Sequence, residues 1–364
     1  MREPGNLLRS AVHSSRGERR HGAVFCVHAR RPLPLGAGAL ICEASMQNLN
    51  FWQFNIAAML VGFALDLLIG DPEGWPHPVI WIGKYISRAE AYLRRRGGNL
   101  RTGAVWLTLS TVLLAMAVAA ALLFVLSLLG RWALFIGMSL LSWTAISTKC
   151  LAAEARGVAA ALNVSLEKGR TRVGRIVGRD TRSLSEAEII RATVETVAEN
   201  TTDGVIAPMF FLALGGPVLA MGFKAASTLD SMVGYLDERY RDIGWSSARL
   251  DDLLNYLPAR ICGTLMCPCA RLCGLDALQA WRMLRRDHAN HLSPNCGWSE
   301  AAAAGALGIQ LGGTHEYFGK AVVKPTIGDA QRDVEIEDIA RTNRLMYTTS
   351  AAFAAILALL GVLL

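Results

Sequence analysis

The densest run of reactive side chains lies in Gly178–Gly204, GRDTRSLSEAEIIRATVETVAENTTDG. Ser185 and Glu188 have the spacing of a capping box, which predicts a helix starting near Glu186. On that helix Ile189, Ile190, Val194, Val197 and Ala198 make an apolar face. The other side carries Glu188, Arg191, Glu195 and Glu199 at helical spacing, with Asp203 just past the end. A solvated face laced with ion pairs is the plain reading. It is weakened because neither Glu195 nor Glu199 has a Lys or Arg four residues on. Asn200, Asp203 and Gly204 also carry the acidic edge into an apolar run. Carboxylates gathered like this suit Mg²⁺ held together with substrate phosphates.

Three further segments offer partners. Phe223–Arg260 supplies Lys224, Asp230 and Ser231, then Asp251, Asp252, Asn255 and Arg260. Asp251 and Asp252 stand four and three residues before Asn255, so one helical face can present all three side chains. Acidity favoured by a helix start competes evenly with function at Asp251-Asp252, and Asp237 and Glu238 read as surface residues. Asp287–Gly319 holds the polar turn Ser293-Pro294-Asn295 and a small-residue helix. Gly305, Gly308, Gly312 and Gly313 follow, more commonly a helix-packing device than a ligand border. Asp66–Gly83 places Asp66 and Asp71 at the end of an apolar run, followed by His77-Pro78. An ionisable residue at a membrane end points to function, with a solvated helix end as the rival for Asp66 and a structural role as the rival for His77.

Several chemistries are excluded. The sequence has no P-loop, no dinucleotide-binding glycine fingerprint, no nucleophile elbow and no H-E-x-x-H. Cys262, Cys267, Cys269 and Cys273 crowd one apolar stretch without paired C-x-x-C spacing, so buried thiols are expected rather than zinc or iron–sulfur ligation. The eight cysteines show no disulfide framework. His288 and His291 alone make a weak metal site.

The elements that must position these groups are apolar. Hydrophobic residues form 52% of the chain and charged residues 18%, with a mean hydropathy of +0.31. The formal charge of +7 falls in loops beside apolar runs, which fits a lipid bilayer as partner and not a nucleic acid. Phe51–Gly70, Ala104–Leu129, Trp132–Ser147 and Leu345–Leu364 are long enough to span. Gly130 and Arg131 make the middle pair a tight hairpin. Val205–Phe223, with Pro208 and Gly215-Gly216-Pro217, and Leu253–Leu275, with Pro258 and Pro268, are broken elements. The fold expected is an all-α polytopic membrane protein with four to six hydrophobic helices and helical loops. The Lys- and Arg-rich loops at 84–101 and 149–182 should be cytoplasmic. Residues 1–45 hold seven Arg, three Glu and no long apolar run. They read as a disordered or non-native extension before Met46, leaving 46–364 as a single membrane-embedded domain.

Taken together, the four segments resemble the adenosylcobinamide-phosphate synthase family of cobalamin biosynthesis, named CobD or CbiB. The matching stretches are DLLIGDP with HPV, GRDT, VETVAENTTDGVIAP, TLDSMVGY, ARLDDLLNYLPAR and SPNCGWSEAAAAGALGIQLGG, then Tyr317 and Gly319. They run in the family's order and cover nearly everything after Met46. Phe223, Ser227 and Cys296 depart from the Tyr, Asn and Ala expected there, and none of these removes a charge.

The resemblance implies a ligase of the inner cell membrane with its active face towards the cytoplasm. It would join a carboxylate of adenosylcobyric acid to aminopropanol, with the O-phosphate as the expected form, using ATP and Mg²⁺ to make an acyl phosphate. The corrinoid is then substrate rather than cofactor, and other membrane enzymes of cobalamin assembly are candidate partners. Under this reading Glu195, Glu199, Asp203, Asp230, Asp251 and Asp252 serve as metal ligands or base, with Glu195, Glu199 and Asp252 as the metal set. Arg179, Arg182, Lys224 and Arg260 face phosphates or the substrate carboxylate. Asp71, His77, Asp180, Asn200, Asn255, Ser293, Asn295, Gly312 and Gly313 are further contacts. Because these segments must share one site, Val205–Phe223 is expected to be re-entrant or deeply kinked. A corrinoid transporter and a non-catalytic scaffold for the pathway are the competing functions.

Overall fold

Asn50 and Gln53 form a reciprocal capping box that starts the first helix, α1 (Phe51–Leu68). The computed structural model describes residues 49–364 except 73, 179, 236, 318 and 319, and only the backbone at 314–317 and 320–324. The expectations for residues 1–45 and for Arg179 therefore lie outside the described residues. After α1 come α2 (Pro78–Arg96), α3 (Leu100–Leu128) and α4 (Arg131–Ala145). Next are α5 (Thr148–Leu162), α6 (Leu166–Val173) and α7 (Glu186–Thr201). A π-helical turn, Thr202–Ile206, leads into α8 (Ala207–Val233). Then α9 (Trp245–Leu272), α10 (Ala277–Asp287) and α11 (Cys296–Leu307) precede a hairpin, β1 (Leu311–Tyr317) and β2 (Lys320–Ile327), and α12 (Glu337–Leu363) closes the chain. The antiparallel hairpin pairs Leu311 with Ile327 and is the one departure among the described residues from an all-α fold.

Among the described residues, five helical stretches are long and apolar enough to cross a membrane: α1, α3, Arg131–Leu162, Glu186–Val233 and α12. The protein is thus a multi-pass membrane protein. The expected tight turn is present: Gly130, at φ 112°, joins α3 to α4. Helices α1 and α4 touch backbone to backbone at Gly62, where a Cβ would lie 2.6 Å from the Ser142 Cβ. The broken segment Leu253–Leu275 falls within α9, which is not among the five stretches. Its Trp245 Nε1 donates to Arg101 O at 2.9 Å, at the start of α3.

The fourth apolar stretch turns back on itself. Helical dihedrals fail at Gly215 and at Gly216, where φ is +66°. Before the break, Gly204 O accepts from Ser147 N at 3.0 Å. After it, Lys224 Nζ lies 3.4 Å from Ser147 Oγ. Two positions twenty residues apart therefore meet the same residue. The tip lies elsewhere: a Cβ on Gly216 would be 2.8 Å from Asn55 Oδ1. Asn55 sits one turn into α1, whereas Asp66 near the other end of α1 accepts from Thr148 N at 2.9 Å. Eleven residues of helix separate these levels by about 16 Å. Of the two forms expected from the sequence, re-entrant or deeply kinked, Val205–Phe223 takes the re-entrant one.

The remaining ends agree with this arrangement. Asn50 Nδ2 donates to Leu364 O at 3.1 Å, so both termini of the described bundle meet at the end opposite Ser147. The loops at 70–99, 146–204 and 224–336 then share one face. Asp66 itself is fully buried and caps the first turn of α5, a structural role rather than a solvated helix end.

Two expectations follow. With an impermeant thiol reagent, Glu238→Cys and Arg96→Cys should label from the same side and Leu129→Cys from the other, scored over the parent chain. Labelling of the 238 and 129 positions from a common side would contradict the hairpin. Gly62→Leu should destabilise the bundle by about 1–3 kcal/mol through overpacking, read as earlier thermal unfolding in detergent.

Candidate active site

Three irregularities meet at one spot. Helices α4 and α5 part at Ile146, whose ψ of 140° is extended. The π turn at Thr202–Ile206 brings Asp203 and Gly204 to Ser147. Lys224, about two turns past Pro217 on the returning arm, completes the junction. Such π turns recur at functional sites because they re-aim side chains within a helix.

On one side of Lys224 the carboxylates converge. A cavity of about 290 Å³ is lined by Ser147, Cys150, Glu154, Asn200, Asp203 and Lys224, with further neighbours. Asp203 is within charge–charge range of Asp251, Glu199, Asp230 and Lys224. Asp251 in turn feels Asp230, Asp252 and Glu199. Two unit charges ~5 Å apart repel by about 3 kcal/mol at an effective dielectric of ~20. Five clustered carboxylates, of which Asp203 is the one in range of Lys224, therefore need a cation or protons. Asp251 Oδ2 accepts from Asn255 Nδ2 at 3.0 Å. Asp251 Oδ1 and Asn255 Oδ1, by contrast, are buried without a partner. Orphaned acceptor oxygens in an acidic cluster are what a hard divalent cation takes as ligands, so the donor set fits Mg²⁺.

The positions chosen from sequence divide into groups. Glu199, Asp203, Asp230, Asp251, Asp252, Asn200, Asn255 and Lys224 come together. Glu195 is turned aside: its Oε1 accepts from Gly312 N at 3.0 Å and anchors the start of β1. The expected metal set of Glu195, Glu199 and Asp252 does not close on a point. Among the described residues no three His, Cys, Asp or Glu side chains form a ready metal cage. A cation here would need oxygens from its substrate as well.

Arg260 also differs from expectation. Its guanidinium stacks on Tyr256 at 3.4 Å and on Trp298 at 4.9 Å from the ring centres, and it donates to Asn295 Oδ1 at 3.2 Å. Asn295 Nδ2 donates to Asp252 O at 2.8 Å, and Ser293 Oγ lies 3.5 Å from Asp252 Oδ1. These groups lock α11 to α9 and so position Asp252. Gly305 and Gly312 serve close backbone approach, since a Cβ on either would come 2.4 Å from a carbonyl oxygen. That is the packing reading of the glycine-rich stretch, and Gly313, at φ 96°, belongs to the same turn into the hairpin. Asp180 and Arg182 pair with each other on an exposed loop. The pairing holds the Asp180 carboxyl down at about 2. That loop approaches Tyr235, five residues beyond Asp230. The crowded cysteines are free and buried, as expected.

On the other side of Lys224 lies a second cavity of about 580 Å³. Its lining includes Asp71, His77, Trp75, Trp143, Ser147 and Lys224. His77 caps α2, its Nδ1 accepting from Val79 N at 3.3 Å, and its Nε2 lies 3.8 Å from Asp71 Oδ1. Burial lowers the His77 pKa and raises that of Asp71. Ser147, Cys150, Glu154, Trp75 and Trp143 were not found from the sequence. Ser147 had one available signal, its place at the end of an apolar run before a basic loop.

Burial, then the Asp230 charge, raises the Asp251 carboxyl from 3.8 to about 7, against the pull of Asn255. The folded protein thus keeps a proton that the unfolded chain releases near pH 4, and the associated stability is lost as pH rises through about 7. Asp251→Asn should therefore melt with the parent near pH 4 and on the order of a few degrees above it at pH 8. Equal melting at both pH values would contradict the buried, acid-crowded environment.

The family profile described as CobD/Cbib protein matches residues 59–346. The chain is 47% identical over 305 residues to the cobalamin biosynthesis protein CobD of Citrobacter koseri, covering 83% of this chain and 96% of that one. It is 48% identical over 311 residues to the cobalamin biosynthesis protein CbiB of Salmonella typhimurium, with the same coverage. Against the cobalamin biosynthesis protein CobD of Geobacter metallireducens it is 48% identical over 309 residues, covering 85% and 97%. No solved structure matches. The chain belongs to the CobD/CbiB family.

Proposed function

We propose that the protein is an adenosylcobinamide-phosphate synthase of cobalamin biosynthesis. It condenses adenosylcobyric acid with aminopropanol O-phosphate to form an amide, driven by ATP. Family membership supports the pathway, and neither transport nor a passive scaffold is favoured by it. The observation that carries the chemistry is the carboxylate cluster that reaches Lys224 through Asp203 and includes an orphaned Asp251 oxygen.

Amide formation from a free carboxylate needs activation. Mg²⁺ would be held by carboxylates among Asp203, Asp230, Asp251 and Glu199, and would supply charge neutralisation for phosphate oxygens. Lys224 attracts the anionic oxygens of the reacting carboxylate and of the phosphoryl group that it receives. Cavities of about 290 and 580 Å³ take drug-sized ligands or smaller. The corrin ring therefore stays outside and presents one carboxylate-bearing arm. Placing the site on the cytoplasmic face of the inner membrane matches the basic loops at 84–101 and 149–182.

Purified protein in lipid should form cobinamide phosphate and consume ATP when given adenosylcobyric acid and aminopropanol phosphate, more efficiently than with free aminopropanol. Asp203→Asn and Lys224→Met should each lower the rate on the order of 100-fold or more. Substrate flux into liposomes without amide product would overturn the synthase reading.

A further inference from the structure

Asp71 and Asp203 both lie within charge–charge range of Lys224, but they do not line the same cavity. Asp203 lines the smaller cavity and belongs to a cluster with Asp230, Asp251, Asp252 and Glu199. Asp71 lines the larger cavity, whose walls include Trp75, Ile80, Leu140 and Trp143. Ser147 and Lys224 line both cavities and form the wall between them. We infer that Asp71 is the base of the amide-forming step: it receives the ammonium group of the amine substrate in the aromatic cavity and takes its proton. This rests on the ligase reading above and divides its two half-reactions between the two cavities.

The chemistry of the lining supports the division. Among the described residues Lys224 is the one Lys or Arg lining either cavity, so an acyl phosphate made on the acidic side is held where its carbonyl can be reached from the aromatic side. An amine arrives protonated at neutral pH and cannot attack in that form. Apolar walls disfavour its charged form, and Asp71 is the carboxylate among the described residues lining that cavity. His77 steadies it. Because His77 Nδ1 accepts from Val79 N, the neutral ring carries its proton on Nε2, which faces Asp71 at 3.8 Å. That nitrogen is buried and has no hydrogen-bond partner, so it is a donor poised for the Asp71 carboxylate or a substrate oxygen.

The balance is straightforward. Asp71 takes one proton from the ammonium, and the freed amine nitrogen attacks the acyl carbon. The carbon–nitrogen bond forms as the carbon–oxygen bond to the phosphate breaks. The departing phosphate carries away the second amine proton, and Asp71 returns its proton to solvent.

Hydroxylamine separates the half-reactions, because it is an uncharged nucleophile at neutral pH and needs no base to free its lone pair. The test uses full-length protein in lipid with ATP, Mg²⁺ and adenosylcobyric acid, comparing parent, Asp71→Asn and Asp71→Glu. In Asp71→Asn, hydroxamate formation should stay within about threefold of the parent, while amide formation from aminopropanol phosphate falls on the order of 100-fold. Asp71→Glu should recover part of the amide rate. Because hydroxamate formation requires a folded, activating site, it also controls for misfolding. Equal loss of both products in Asp71→Asn, or no loss of either, would overturn the assignment of Asp71. A parent that yields neither hydroxamate nor amide would overturn the ligase reading itself.

Discussion

A bilayer interior offers no water to backbone groups, so a helix can break there only where protein surrounds the break. This chain breaks its helices at Ile146, at Thr202–Ile206 and at Gly215–Gly216. The first two breaks satisfy one another through Ser147 N and Gly204 O. The third returns the chain to the same residue through Lys224. The site depends on this constraint. Without the turn at Gly216, Asp230 and α9 would emerge on the far face, away from Asp203. The glycine is required by its positive φ and by the nearness of Asn55, which leaves little space for a Cβ.

The junction also concentrates charge of one sign. Repulsion among the carboxylates is a cost that binding of a cation and a phosphorylated ligand would relieve. An assembly of this kind is poor at stabilising the resting protein and good at favouring a state in which negative charge is neutralised. Arg260 shows the opposite economy. Its charge is sheathed by Tyr256 and Trp298 and contributes to holding α11 against α9. Asn295 converts that packing into a fixed Asp252.

Much of this was legible in the sequence. Spans follow from apolar length, the start of α7 from Ser185 and Glu188, and the re-entrant segment from Gly-Gly-Pro together with the need for one shared face. The polar stripe of α7 was read correctly as a stripe, but Glu195 and Glu199 part company in space. One turn of helix places Glu195 under Gly312 and Glu199 beside Cys296, a difference that only the packing of α11 and β1 decides. Arg260 was misplaced for a similar reason, since its partners Trp298 and Asn295 lie more than thirty residues away. Ser147 and Trp143 belong to the site through a helix break, and periodicity has no pattern for that. The β1–β2 hairpin opens on a glycine pair, within β1, that suits helix packing equally well.

The central claim is that ATP activates the corrinoid carboxylate as an acyl phosphate. Adenosylcobyric acid labelled with ¹⁸O in its reacting carboxylate tests this directly. Turnover with ATP and aminopropanol phosphate should transfer one labelled oxygen to inorganic phosphate, detected by mass spectrometry. Amide product accompanied by unlabelled phosphate, or by label in AMP, would contradict it.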